Sequence, residues 1–91
     1  MSHNNELKQY RLKTSIYGLD IDGWYTKKQI ADIAASMIPI QTIGDIEILG
    51  YAQTDETYVV ANYNGEIFVV KREAVKGGYR FKLKGENVRL V

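Results

Sequence analysis

"ETYVVANYNGEIFVVK", residues 56–71, decides the fold. Asn64-Gly65 suits a two-residue type I′ turn, because both central residues of that turn need positive φ. A turn there sets Tyr63 opposite Glu66, Ala61 opposite Phe68 and Val59 opposite Val70 on one face. The other face pairs Asn62 with Ile67, Val60 with Val69 and Tyr58 with Lys71. Both faces are largely apolar, and strands of that kind sit centrally with cover on both sides. A short helix can supply one cover. The other is expected from a sheet that curls, from a small barrel, or from another molecule, a homodimer partner included.

The chain downstream continues as strand and turn. Gly77-Gly78 breaks it, and "YRFKLKGENVRLV", residues 79–91, reads as a last hairpin turning through Lys84 to Asn87. Leu83 then faces Val88 and Phe81 faces Leu90, which closes an apolar face. The same register sets Lys82 opposite Arg89 on the outer face, flanked by Arg80. Like charges directly opposite destabilise a sheet, so an anionic group is expected nearby.

Upstream, "YRLKTSIYGL", residues 10–19, alternates Tyr10, Leu12, Thr14 and Ile16 against Arg11, Lys13 and Ser15, as a half-buried strand does. Asp22-Gly23 is a turn signal before a helix. That helix lies in "WYTKKQIADIAASMIP", residues 24–39. Thr26 caps it and Gln29 has the spacing to reach back, a capping box, with Tyr25 and Ile30 placed for a hydrophobic staple. Ile30, Ile33, Ala34 and Met37 share one face. Pro39 is expected to end the helix after about three turns, since the residue before proline is pushed out of the helical region.

"TKKQIADIA", residues 26–34, resembles the first helix of helix-turn-helix regulators. The resemblance implies a recognition helix after a tight turn, with polar side chains aimed at base edges. The chain continues instead as "SMIPIQTIGDIEIL", residues 36–49. That segment places Pro39 and Gly44 inside the would-be helix and offers only Gln41 and Thr42 as readers before Asp45. Alternation of isoleucine after a proline favours a strand. In "DIEILGYA", residues 45–52, Ile46 and Ile48 fall on one face and Asp45 and Glu47 on the other.

Ninety-one residues, 45% hydrophobic and 25% charged, make one globular domain. The net charge of +1 conceals an asymmetry: residues 44–70 carry five acids and no Lys or Arg, and residues 71–91 carry seven bases against Glu73 and Glu86. Such a split can mark a binding face or simply neighbouring strands of opposite charge. No apolar run approaches the ~20 residues of a membrane span. With no cysteine and no apolar signal core in "MSHNNELKQY", a cytoplasmic protein is expected.

Catalytic sets are missing. The lone histidine, His3, lies in the polar N-terminal stretch, and Ser2, Ser15 and Ser36 have no nucleophile-elbow context. No phosphate loop or dinucleotide fingerprint occurs. "DIDG", residues 20–23, resembles the start of a calcium loop but lacks its later ligands, and turn chemistry explains it better. Tyrosines beside cations, as in "YRFKLK", suit stacking on bases, protein hot spots and strand packing alike.

The expected fold is α+β: a curved antiparallel sheet or partial barrel of roughly five to six strands with one short amphipathic helix, in the order β-α-β-β-β-β-β. Residues 1–8 are expected to be a flexible polar tail and 9–91 a single domain. The expected function is a small non-catalytic binding protein, an accessory regulator or inhibitor. It would occupy a protein or nucleoprotein partner through a basic hairpin face made by Arg80, Lys82, Lys84 and Arg89. The second reading is a nucleic-acid-binding regulator, helix-turn-helix or winged-helix-like, in which Lys27 and Lys28 join the hairpin on phosphates. An enzyme or metal-binding protein comes third. No cofactor, metal or membrane is expected, and a protein partner ranks above a nucleic acid.

Overall fold

The Asn64-Gly65 turn forms, with φ of 55° and 83° at its two residues. It joins β5 (Tyr58–Tyr63) to β6 (Glu66–Val75), and all six expected pairs, from Tyr63 with Glu66 to Tyr58 with Lys71, are present. The structure is a computed structural model that describes residues 8–14, 20–53 and 58–90. Around this hairpin lie β3 (Gln41–Ile43), β4 (Ile46–Ala52), β7 (Gly78–Leu83) and β8 (Glu86–Leu90). Together they make a six-stranded antiparallel meander in the order β3-β4-β5-β6-β7-β8, curled into a half-barrel. A separate ribbon pairs β1 (Gln9–Leu12) with β2 (Gly23–Thr26), and α1 (Lys27–Ala34) follows directly.

The curl answers the question of the second cover. On one face of β5, Val60 joins Leu12, Ile30, Ala34, Met37, Leu49 and Ala52 beneath α1 and the ribbon. On the other, Val59 and Ala61 join Ile48, Phe81, Leu83, Val88 and Leu90, so the last hairpin folds over the sheet that precedes it. Val59, Val60 and Ala61 are each fully buried. A single chain covers both faces of its central strand. At about 1.5–3 kcal/mol for each large side chain removed from water, these two clusters account for most of the driving force.

A β-bulge in β4 lets both clusters draw on that strand. Ile48 pairs with Ala61 but Gly50, two residues on, pairs with the adjacent Val60, leaving Leu49 extra. The inserted residue shifts the strand's alternation, as bulges do. Ile48 and Tyr51 therefore serve the curled-in face, while Leu49 and Ala52 serve the helix-covered face. Gly50 inside a strand pattern is the sequence signal for such a bulge.

The class is as expected, and the strand order is longer by β2 and β3. Gly23 opens a strand instead of closing a turn, because Trp24, Tyr25 and Thr26 are strand formers that pair with Arg11, Tyr10 and Gln9. Arg11 fastens the ribbon by donating from Nη1 to the carbonyls of Leu12 and Gly23 at 2.6 and 3.2 Å. Asp22 accepts from the backbone N–H and hydroxyl of Thr14, both at 3.1 Å, which commits it to turn chemistry. The strand expected over residues 10–16 ends at Leu12, and Ile16 lies outside the described residues. So do residues 1–7 of the expected tail, whereas Lys8 is described. Its Nζ donates to the Tyr58 hydroxyl at 2.6 Å, and that bond is the first cause of a pKa raised above the ordinary lysine value.

The capping box forms: Gln29 N donates to Thr26 Oγ1 at 3.2 Å and Thr26 N donates to Gln29 Oε1 at 2.8 Å. Tyr25 and Ile30, the residues placed for the staple, both belong to the helix-covered cluster. The helix is shorter than expected, eight residues capped by Ala35. Ser36 and Met37 then donate to the carbonyls of Ile33 and Ala34, tightening the last turn into i→i−3 bonds. Met37 still reaches the core, at 7% exposure. Pro39 stands beyond a helix that has already ended. Where a recognition helix would lie, the chain forms β3 and β4.

Candidate macromolecule-binding surface

The last hairpin turns at Lys84-Gly85, with φ of 55° and 82°. Its register pairs Leu83 with Glu86, Lys82 with Asn87, Phe81 with Val88, Arg80 with Arg89 and Tyr79 with Leu90. This corrects the expected register by two residues. Lys82 does not face Arg89; it faces Asn87. The expectation failed because a left-handed conformation is uncommon at a lysine, so nothing marked Lys84 as the first turn residue. A shift of two preserves side-chain parity. Phe81, Leu83, Val88 and Leu90 therefore still point inward, and the like-charge pair on the outer face becomes Arg80 with Arg89.

Each cation of that face has a defined setting. Arg80 reaches Glu73 on the neighbouring β6, with Nη2 and Nε at 3.0 and 3.1 Å from Oε1. Glu73 is thus the anionic group that the sequence called for, and it neutralises one arginine of the two. Arg89 instead extends over the β6–β7 turn and donates from Nη2 to the Lys76 carbonyl at 2.6 Å. Gly77 leaves the room for it: a Cβ at that position would stand 2.8 Å from Arg89 Nη2. Lys82 is exposed, with no ion pair among the described residues. Asp45 and Glu47 form no ion pair with these cations among the described residues. Glu47 accepts from Asn62 Nδ2 at 3.2 Å.

Lys84, Lys27 and Lys28 form a second group. Lys84 Nζ and Lys27 Nζ, from elements far apart in sequence, each lie 5.7 Å from the centroid of the Phe68 ring. That is within cation–π range. Lys84 also stands 3.9 Å from Glu66 Oε1, an exposed and therefore weak pair. Lys27, Lys28, Ala31, Gly65, Glu66 and Ile67 line an open cleft of about 590 Å³ between the start of α1 and the β5–β6 turn. The first turn of α1 contains no acid. Two lysines there oppose the helix dipole, which favours anions at that end.

The structure thus divides the six expected residues: Arg80, Lys82 and Arg89 lie on the outer face, Lys27 and Lys28 line the cleft, and Lys84 stands at its margin through Glu66 and the Phe68 ring. Phe68, Glu66 and Glu73 were missed by the sequence reading. Phe68 owes its position to the path of β6, which pairs with β5 through residues 66–71 and with β7 through residues 72–75. Its ring consequently has no β7 partner beside it and is left partly open. No periodicity in the sequence reports such a change of neighbours. Arg72 likewise packs between Tyr51 and Tyr79, 4.9 and 4.0 Å from their ring centroids. Tyr79 stays 41% exposed there.

No helix among the described residues is long and apolar enough to cross a membrane. The chain matches no protein-family model, no curated protein and no solved structure.

Proposed function

We propose that this chain is a small non-catalytic binding protein, a cytoplasmic accessory regulator or inhibitor. It occupies an acidic face of a protein or nucleoprotein partner with the outer face of β7–β8. The observation that carries this reading is the Arg80–Arg89 pair, two like charges set directly opposite on an exposed sheet face, with Lys82 exposed beside them. A cross-strand pair of this kind works against folding. Glu73 offsets the charge of Arg80 alone, so Arg89 and Lys82 keep charges that no acid among the described residues pairs, and a local cost left standing in this way marks functional surfaces.

A protein partner is preferred because the charge is local: the whole chain carries a net charge of only +1 and a pI near 7.9. Domains built to hold nucleic acid are more strongly basic. Cations at the rim of a protein interface act mainly by steering encounter, and so raise the on-rate.

The test compares wild type with the double variant Lys82→Gln, Arg89→Gln. A partner captured by wild-type protein is purified, and its association is followed at several salt concentrations. The variant is expected to associate more slowly and with a shallower salt dependence. Equal rates for both proteins would refute the outer face as the site. Binding to random duplex that falls by about 0.9 log units per log of salt for each phosphate neutralised would replace the protein partner with a nucleic acid.

A further inference from the structure

We infer that the cleft lined by Lys27 and Lys28, with Lys84 at its margin paired to the lining Glu66, is a receptor for a carboxylate side chain of the partner. The inference rests on the reading of the chain as a binding protein and adds a second point of contact, distinct from the outer face.

Three observations meet at this place. Lysines from the start of α1 and from the tip of the β7–β8 hairpin converge on one ring, Phe68. Each lysine is also in a costly setting, Lys27 and Lys28 against the helix dipole and Lys84 at φ 55°, where a side chain crowds its own backbone. Finally, the cleft already holds one carboxylate. Glu66 lines it and approaches Lys84 at 3.9 Å, while both side chains remain more than half exposed. An ion pair so exposed exchanges readily for another of the same chemistry.

The lining selects the ligand. Between the lysines the cleft presents Ala31, Gly65 and Ile67, with the Phe68 ring close by. Those surfaces suit an acidic residue beside an aliphatic one, as in a protein segment, better than a bare phosphodiester. The acidic segment displaces Glu66 from Lys84, so Glu66 competes with the partner for that lysine.

The competition fixes the sign of the test. Isotopically labelled full-length protein is titrated with a short blocked peptide of alternating glutamate and leucine, and amide shifts are recorded by NMR. Saturable shifts are expected at Lys27, Lys28, Glu66, Ile67 and Lys84, and none with a glutamine–leucine peptide. Glu66→Gln is expected to tighten peptide binding by about twofold to fivefold, the range an exposed ion pair is worth, and Lys84→Gln to weaken it by a similar factor. Lys71→Gln, the same charge change in the middle of β6, leaves it unchanged. Absence of saturable shifts in the cleft overturns the inference, as does weaker binding to the Glu66→Gln protein. Shifts with short oligothymidylate but not with the peptide overturn it in favour of phosphate. Since the outer-face test uses Lys82 and Arg89 alone, either site can fail while the other stands.

Discussion

A double-mutant cycle on Arg80 and Arg89 separates a hairpin face kept for stability from one kept in spite of it. Arg80→Gln removes the contact with Glu73, whose partners are 38% and 60% exposed. Discounted for screening, that pair is worth about 0.2–1 kcal/mol. The same substitution relieves the cross-strand repulsion from Arg89, worth a few tenths of a kcal/mol. Arg89→Gln gains the same relief and loses one solvent-exposed bond to the Lys76 carbonyl; its net effect is expected within about 0.5 kcal/mol. The relief can be gained only once. Arg80→Gln should therefore cost more in the Arg89→Gln background than in wild type, by a few tenths of a kcal/mol. Urea melts read this: with a slope of about 1–2 kcal/mol per molar, 0.5 kcal/mol moves the midpoint by roughly 0.3–0.5 M. The coupling should vanish near 1 M salt, where the screening length falls to about 3 Å. A cycle in which the second substitution costs less than the first, or a coupling untouched by salt, would show that the two arginines support each other. The outer face would then have a stabilising reason for its charges and no claim as a functional surface.

Two further outcomes concern the scaffold. Thr26→Ala is expected to lower stability by about 1 kcal/mol. Gln29→Ala should add little on top of it, because each side chain caps the other's backbone in one reciprocal unit; additive losses in chemical denaturation would contradict the box. Phe81, 1% exposed at the centre of the curled-in cluster, is expected to cost about 3–5 kcal/mol as Phe81→Ala. A loss below 1 kcal/mol would mean that the last hairpin does not cover β5.

Reading the sequence worked where local chemistry has one solution. Asn64-Gly65 admits a single turn type, so all six β5–β6 pairs followed from it. Thr26 and Gln29 likewise had the spacing of a reciprocal cap and formed one. It failed where tertiary context chose among options. Lys84 is not a favoured residue for a left-handed turn, yet the fit of Phe81, Leu83, Val88 and Leu90 over β5 holds it there. Pro39 reads as the end of α1, but the chain leaves the helix earlier to bring Met37 into the core. For the site, residue types were legible and groupings were not. The split of β6 between two partners, which opens the Phe68 ring to Lys27 and Lys84, arises from sheet curvature and has no one-dimensional trace.

The meander order of β3 to β8 also bears on how the chain folds. Each strand of the sheet pairs with its sequence neighbour, so loop closures are short and contact order is low for a sheet protein; such topologies fold quickly among β-rich chains. β4, β5 and β6 can pair with one another before the last hairpin closes over them. In that interval Ile48, Val59 and Ala61 have no Phe81 or Leu83 above them. Exposed apolar strands of this kind are where nascent chains aggregate. Closure of the last hairpin is what takes this face of the sheet out of water. Variants that slow its closure should show reduced yield in the cell well before they show reduced stability in the purified protein.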